Sequence, residues 1–102
     1  MQISVIIPAL NEESNLKALL PRLHKVLSNL KVHPYEIIVV DGGSTDHTTE
    51  VSHELGARAV VQEEPGYGGA LKDGFRSAQG DYVLTLDADL SHNPDFIDRM
   101  WA

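Results

Sequence analysis

The stretch Tyr82-Val83-Leu84-Thr85-Leu86-Asp87-Ala88-Asp89 decides the fold, because an apolar run ends there in two carboxylates one residue apart. The run from Tyr82 to Leu86 predicts a buried strand. Two anionic side chains that lie close repel each other unless a cation separates them. Carboxylate oxygens suit Mg²⁺ or Mn²⁺, ions that keep positions for substrate phosphates. Asp87 and Asp89 therefore predict a metal–diphosphate site; the alternative is an acidic turn that caps the next helix.

Three further apolar runs lie upstream and predict three more strands. They extend from Ile3 to Ile7, where Pro8 is expected to end the strand, from Tyr35 to Val40, and from Ala57 to Val61. Continuous apolar runs without alternation are typical of parallel strands that are covered on both faces.

Helical patterns separate these strands. Glu12 to Leu30 carries leucines at three- and four-residue spacing, and Pro21 is expected to kink or split this helix. The loop Asp41 to Ser44 precedes a second helix, which Thr45 or Asp46 would cap and Gly56 would end.

The second half of the chain predicts two more helices. A glycine-rich loop from Glu63 to Gly69 precedes a helix from Ala70 to Gln79, and Asn93-Pro94 opens the last helix. The residues expected to be buried on the third helix are Leu71, Phe75 and Ala78. The segment Gly66 to Gly69 is either a phosphate cradle or a flexible connection.

The order β-α-β-α-β-α-β-α predicts an α/β fold, with a mostly parallel sheet and helices on both faces. Ligands of such sheets bind beyond the carboxyl ends of the strands. The polar groups follow strands one, two and four, namely Asn11-Glu12-Glu13, Asp41, and Asp87 with Asp89. If strand four lies beside strand one, these groups line one crevice.

Composition narrows the classes of function. The chain has 102 residues, which is one domain at most. A net charge of −7 argues against nucleic-acid binding, so an anionic ligand needs help from a metal or a helix N-terminus. The absence of cysteine excludes disulfide and thiolate chemistry. The histidines without metal-ligand spacing, expected at the surface, are His24, His33, His47 and His53.

Four segments in order resemble the N-terminal half of a family 2 glycosyltransferase and cover nearly the whole chain. They are Val5-Ile6-Ile7-Pro8-Ala9-Leu10-Asn11-Glu12-Glu13, Val39-Val40-Asp41-Gly42-Gly43-Ser44-Thr45-Asp46, Gly66-Tyr67-Gly68-Gly69-Ala70-Leu71, and Leu86-Asp87-Ala88-Asp89-Leu90-Ser91-His92-Asn93-Pro94. The last segment is typical of the dolichyl-phosphate mannosyltransferase-like branch. The resemblance implies a Rossmann-like GT-A fold, a nucleoside-diphosphate sugar donor, Mg²⁺ or Mn²⁺, and inversion at the sugar carbon.

The resemblance also assigns roles to individual residues. It implies nucleotide-sugar binding by Pro8, Ala9, Asn11, Glu12, Asp41 and Asp87, and metal binding by Asp87 and Asp89. Two positions depart from the family pattern. Gly42 stands where the family usually has a second Asp, and Ser91 stands where some relatives carry Gln as a further metal ligand.

The implied whole protein transfers a hexose from GDP-mannose or a UDP-sugar to an acceptor, which for this branch is a polyprenyl (dolichyl-type) phosphate. We expect it in the cytoplasm, peripheral on the cytoplasmic face of a membrane. Because Arg99 to Ala102 lies inside a predicted helix without a capping glycine, we expect residues 1–102 to be the N-terminal part of a longer domain, with acceptor residues beyond Ala102.

Two alternatives remain open. The chain could bind the donor without catalysing transfer, or it could belong to a sugar-nucleotide nucleotidyltransferase. The second class normally has a glycine-rich loop where this chain has Pro8 to Glu12. An uncovered sheet edge after strand four would also favour self-association.

Overall fold

The computed structural model describes residues 3–30 and 34–88, which form one parallel sheet with helices on both faces. The strands are β1 (Ile3–Ala9), β2 (Tyr35–Asp41), β3 (Arg58–Val61) and β4 (Tyr82–Thr85), in the order β3-β2-β1-β4. The helices are α1 (Glu13–Asn29), α2 (Thr48–Glu54) and α3 (Gly66–Ser77). The predicted helix at Asn93-Pro94 lies outside the described residues.

The predicted neighbourhood of the first and fourth strands is confirmed. Ile3 of β1 pairs in parallel with Tyr82 of β4, and Ile6 pairs with Thr85. On its other side β1 pairs with β2 along its whole length, from Ile3 with Tyr35 to Ala9 with Asp41. The carboxyl ends of the strands therefore lie along a single edge of the sheet.

Alternate residues of β1 face two separate layers of core. Val5 and Ile7 face the layer that holds the buried leucines of α1 and Val51 of α2. Ile6 faces the other layer, with Ile38 and Ala70 of α3. This division explains why β1 and β2 are apolar without alternation, and it confirms the α/β architecture.

Pro8 does not end β1, contrary to the sequence prediction. Successive residues of a strand turn their amide groups to alternate sides. The oxygen of Ile6 accepts from Leu86 on the β4 side at 3.0 Å, and the oxygen of Ala9 accepts from Gly42 on the β2 side at 2.9 Å. The nitrogen of Pro8 thus faces the β4 side, where pairing has already stopped at Thr85. No donor is needed there, so the strand tolerates proline.

Pro21 does not split α1, which runs unbroken from Glu13 to Asn29. A proline at position 21 removes the hydrogen bond to the oxygen of Lys17 and crowds that carbonyl. Both residues lie on the exposed side of α1. Water can hydrogen-bond the released carbonyl, while the buried leucines on the opposite side hold the helix to the sheet.

Helix α3 begins earlier than predicted, and only some of its predicted core residues pack against the sheet. The glycine-rich segment forms its first turn, starting at Gly66. Phe75 is 50 % exposed, and Leu71 and Ala78 are only partly buried. Small residues face the sheet instead. At Gly74 the fit is so close that a Cβ would lie 2.5 Å from Cγ2 of Ile6. The prediction is wrong for Phe75, whereas Leu71 and Ala78 do pack against the core.

His24 is half-buried, so its predicted surface position is wrong. Its Nε2 lies 2.7 Å from the oxygen of Leu55, and its Nδ1 lies 2.6 Å from the hydroxyl of Tyr35. Because a carbonyl only accepts, Nε2 must donate in this contact. His47 and His53 are exposed as predicted, and His33 lies outside the described residues.

No helix within residues 3–30 and 34–88 has the length and apolar character needed to cross a bilayer.

Candidate functional site

A cleft of about 410 Å³ lies at the carboxyl edge of the sheet, and residues that follow all four strands line it. The lining residues are Pro8, Ala9, Leu10, Glu12, Gly42, Gln62, Gly66, Tyr67, Ala70, Asp87 and Ala88. Four of the predicted nucleotide-sugar residues, Pro8, Ala9, Glu12 and Asp87, are among them. Their ligand-binding roles stay predictions, whereas their convergence is a feature of the fold.

Asn11 turns its side chain toward the β2–α2 loop and is not among the residues that line the cleft. Its backbone is left-handed, with φ of 53°. Its Oδ1 accepts from the backbone nitrogen of Thr45 at 2.8 Å and of Asp46 at 3.3 Å. Its own nitrogen donates to Oγ of Ser44 at 2.9 Å. Asn11 therefore links the loops that follow β1 and β2.

Further hydrogen bonds join the same two loops. The nitrogen of Glu12 donates to Oγ1 of Thr48 at 3.1 Å, and that of Glu13 donates to Oδ2 of Asp46 at 3.3 Å. In return, the nitrogen of His47 donates to Oε1 of Glu13 at 3.1 Å. This last bond is the main reason that the pKa of Glu13 is lowered.

Asp46 serves mainly the start of α2. Its carboxylate accepts from the side chain of Thr48, and from the nitrogen of Thr48 at 2.9 Å. The side-chain bond is the largest cause of its lowered pKa. The helix itself begins at Thr48, after His47. Asp46 thus supports the helix start from one residue before the N-cap, which is His47 and not Thr45 or Asp46 as predicted.

Asp41 is buried beneath its own loop. Its Oδ1 accepts from the nitrogen and Oγ of Ser44, at 2.9 and 2.5 Å, and its Oδ2 accepts from Oγ1 of Thr49 at 2.9 Å. Burial raises the pKa of Asp41, but these bonds outweigh it and hold the pKa below its ordinary value. The ionised carboxylate therefore stabilises the loop. Its predicted binding of the nucleotide sugar stays a prediction.

Gln62 is a lining residue that the sequence prediction missed. Its backbone nitrogen donates to the oxygen of Asp41 at 2.8 Å. Its side-chain Nε2 donates to the oxygens of Glu64 at 2.6 Å and Gly66 at 2.9 Å. The available signal was its position, because Gln62 directly follows the apolar strand β3 as Asp87 closely follows β4.

Tyr67 and Asp87 meet at the β4 side of the cleft. The Tyr67 hydroxyl donates to Oδ1 of Asp87 at 3.4 Å. Loss of solvent raises the pKa of this hydroxyl, and the negative charge of Asp87 raises it further. Tyr67 was also missed, because the glycines around it predicted a loop and not the first turn of α3. Lys72, one turn further on, is exposed and is not among the lining residues.

The metal prediction depends on Asp87 and on Asp89, which lies outside the described residues together with Ser91 and His92. Within residues 3–30 and 34–88, no three His, Asp or Glu side chains cluster as metal ligands. Asp87 is a half-buried carboxylate in the cleft wall. Such a sparse donor set fits Mg²⁺ or Mn²⁺, which take further ligands from water and substrate phosphates.

Asp73 fixes the loop that carries Gln62 into the cleft. Its buried carboxylate accepts from the nitrogens of Glu63 at 2.8 Å and Glu64 at 3.1 Å. These two bonds are the main causes of the lowered pKa of Asp73. Helix α3 fits against the same loop only because position 69 is glycine, where a Cβ would lie 2.4 Å from the oxygen of Glu64.

Comparison of the sequence with known proteins gives consistent results. The profile of the family described as Glycosyl transferase family 2 matches residues 4–102. The dolichol-phosphate mannosyltransferase of Pyrococcus furiosus is 40% identical over 105 residues, which cover 98% of this chain and 29% of that protein. The undecaprenyl-phosphate 4-deoxy-4-formamido-L-arabinose transferase of Aeromonas hydrophila is 38% identical, over 96% of this chain and 32% of its own length.

Solved structures are similar in fold as well. Glucosyl-3-phosphoglycerate synthase of Mycobacterium tuberculosis superposes with a TM-score of 0.80 and 33% identity, over 95% of this chain and 38% of that one. The same enzyme in complex with Mn²⁺, uridine diphosphate and glucosyl-3-phosphoglycerate gives 0.75 and 35%, over 95% and 37%. The chain thus spans about a third of the length of these relatives, 29% to 38%.

Proposed function

This chain belongs to glycosyl transferase family 2, and from that premise we propose that it binds the donor in an inverting glycosyltransferase, which transfers a hexose from a nucleoside-diphosphate sugar. One observation carries the proposal. All four strand ends contribute to one cleft, with Gln62 at the β3 side and Asp87 at the β4 side. That edge is where parallel α/β sheets bind nucleotides.

Charge explains why a metal belongs in the proposal. The chain carries a net charge of −7, so a diphosphate needs a local cation. We assign the cation to Asp87 and Asp89, as Mg²⁺ or Mn²⁺. When bound, the ion offsets the charge of the departing nucleoside diphosphate. Support comes from the Mycobacterium tuberculosis synthase, whose crystal structures contain Mn²⁺ or Mg²⁺ together with uridine diphosphate.

The acceptor is proposed from the relatives. Two of them are named for transfer to dolichol phosphate and to undecaprenyl phosphate. We propose a polyprenyl phosphate as the acceptor, at the cytoplasmic face of a membrane, and GDP-mannose or a UDP-sugar as the donor. An acceptor oxygen that is already anionic has little need of a general base. Donor binding is the part of this reaction that we assign to the cleft.

Donor binding can be tested by calorimetric titration with UDP and GDP in the presence of Mn²⁺. We expect Asp89→Ala to lower the affinity by at least about tenfold, since a carboxylate ligand of the metal is lost. We expect removal of Mn²⁺ with EDTA to have a similar effect on the unmodified chain. Asp81→Ala is the matched control, because Asp81 is exposed and precedes β4 at the opposite end of the sheet.

Unchanged affinity in Asp89→Ala would contradict the metal assignment. A second assay tests whether this chain binds the donor but does not transfer the sugar. The 102-residue chain is incubated with radiolabelled sugar nucleotides and a lipid extract. We expect no labelled lipid. Transfer by this chain would show that it also holds the acceptor.

A further inference from the structure

We infer that Gln62 determines which base the donor carries: its side-chain oxygen accepts a hydrogen bond from a ring N–H, as found in uracil and guanine. The inference rests on the proposed function, because it concerns one end of the same cleft. It adds a specificity-determining residue that follows β3, and it names the class of base that the residue selects.

The orientation of the Gln62 amide is fixed by its neighbours. Both hydrogens of Nε2 are used, one toward the oxygen of Glu64 and one toward the oxygen of Gly66. The flipped amide would place Oε1 against two carbonyl oxygens, which cannot donate. Oε1 must therefore point away from these carbonyls and present an acceptor on the opposite side.

Gly42 leaves the space that this oxygen occupies. A Cβ built on Gly42 would lie 3.1 Å from Oε1 of Gln62, which is closer than ordinary contact. Both residues line the cleft. Position 42 is also where the family resemblance leads one to expect a carboxylate. The chain thus places an amide oxygen from β3 where a side chain from β2 would otherwise stand.

The strand order places β3, which Gln62 follows, at the opposite side of the described sheet from β4. Gln62 follows β3 and Asp87 follows β4, so three strand spacings separate them in the order β3-β2-β1-β4. At the usual spacing of neighbouring strands the axes of β3 and β4 are about 14 Å apart, comparable to an extended nucleoside diphosphate. A donor whose phosphates lie near Asp87 therefore has its base toward Gln62.

The side-chain oxygen of Gln62 is held rigidly before any ligand binds. Asp73 binds the two backbone nitrogens that follow Gln62, and Gly69 lets α3 pack directly on the same loop. An oxygen held in place loses little entropy when it bonds to a ligand. A fixed acceptor favours N3–H of uracil or N1–H of guanine. It opposes the ring lone pairs that cytosine and adenine present at the corresponding positions.

The test compares nucleotides that differ only at this ring nitrogen. Binding with Mn²⁺ is measured for UDP, GDP, their 3-methyluridine and 1-methylguanosine counterparts, and ribose 5-diphosphate, which has no base. We expect the unmodified chain to bind UDP or GDP about tenfold more tightly than the methylated form. We expect Gln62→Met to abolish this ratio and to leave ribose 5-diphosphate binding unchanged.

Two further variants keep the test decisive. Gln79→Met should preserve the ratio, because Gln79 is exposed and its nitrogen bonds Glu36 at the amino end of β2. Gly42→Ala needs no unusual backbone and crowds Oε1, so it should reduce the ratio without removing Gln62.

The outcomes separate the two proposals. An unchanged ratio in Gln62→Met would overturn the inference. So would a loss of ribose 5-diphosphate affinity as large as the loss for UDP, since that indicates a merely structural role. If the unmodified chain binds none of these compounds, the proposed function itself fails, and the inference fails with it.

Discussion

Asn11 shows how a single side chain can organise a site without lining its cleft. A left-handed backbone is unfavourable for most residues, and asparagine is one of the few that tolerate it. At φ of 53° its amide oxygen reaches the nitrogens of Thr45 and Asp46 in the next loop. Backbone tolerance and side-chain hydrogen bonding are both needed at this position, and asparagine supplies both.

Two substitutions at position 11 separate these requirements. Asn11→Gly keeps the backbone and removes the side-chain bonds, so we expect unfolding to become easier by about 1–2 kcal/mol. Asn11→Ala removes the bonds and adds strain, for a further loss of about 1 kcal/mol. Urea denaturation measures both losses, and faster amide exchange at Thr45 and Asp46 would localise them.

Asn29→Ala is the control for these variants, because Asn29 is exposed at the last residue of α1. The free energy of unfolding of the Asn29→Ala variant should differ from that of the unmodified chain by less than about 0.5 kcal/mol. Equal stability of Asn11→Gly and the control would show that the bond between the loops contributes nothing.

For individual residues, the sequence predicts which ones line the cleft when their position just after a strand is enough to place them there. Glu12 and Asp87 follow apolar strands closely, and both line the cleft as expected. The sequence predicts less when the conformation of a loop determines where the side chain lies. The carboxylate of Asp41 turns inward because Ser44 and Thr49 bond it. Gln62 reaches the cleft only because its loop folds back beneath α3.

Among the elements, α3 differs most from its predicted packing. Glycine normally weakens a helix interior, because it loses the most backbone entropy on folding. Here Gly74 lets the helix approach β1 closely, at Ile6. The favourable contact therefore depends on the absence of a side chain, and a pattern search for large apolar residues cannot find it.

Alanine substitutions in α3 test this packing. We expect Gly74→Ala to destabilise the chain by about 1–3 kcal/mol, since its Cβ would lie 2.5 Å from Cγ2 of Ile6. Gly68→Ala should instead stabilise it by about 0.5–1 kcal/mol through helix propensity, because nothing lies within 4 Å of a Cβ there. Thermal unfolding followed by circular dichroism gives both values. Equal effects at the two glycines would contradict close packing at Gly74.

The strands were predicted to within about two residues, whereas the helix starts were predicted less well. Continuous apolar runs mark a strand by burial alone, and burial on both faces persists along β1 and β2. Helix starts depend on local hydrogen bonds that composition does not reveal. Gly66 begins α3 although glycines usually indicate loops, and Thr48 begins α2 after the residues expected to cap it.

For the molecule as a whole, the exposed surface of β4 has consequences in solution. Within residues 3–30 and 34–88, β4 pairs with β1 alone. Tyr82 is 61% exposed and Val83 is 43% exposed on this strand. An apolar edge strand favours pairing with another chain. We therefore expect the chain to self-associate through β4.

Sedimentation velocity over a range of concentrations tests this expectation. Val83→Lys should shift the distribution toward monomer, because a charge on an edge strand opposes pairing. Val61→Lys places the same charge at the other edge, on β3, where Val61 is 75% exposed. It should leave the association intact. A monomer at high concentration for the unmodified chain would contradict the prediction.

Pro8 gives the cleft a property that no lining side chain supplies. The β1–β4 ladder ends with the hydrogen bond from the nitrogen of Leu86 to the oxygen of Ile6, and a proline at position 8 cannot donate the next one. The main chain therefore forms no further β1–β4 ladder bond at Pro8, which lines the cleft. We expect side chains such as Gln62 to determine which ligand the cleft binds. The backbone at Pro8 instead limits how far β1 and β4 pair. Substitutions of the lining side chains could therefore change donor specificity during evolution without changing the backbone around the cleft. Related proteins could then bind different donors in a cleft of the same shape.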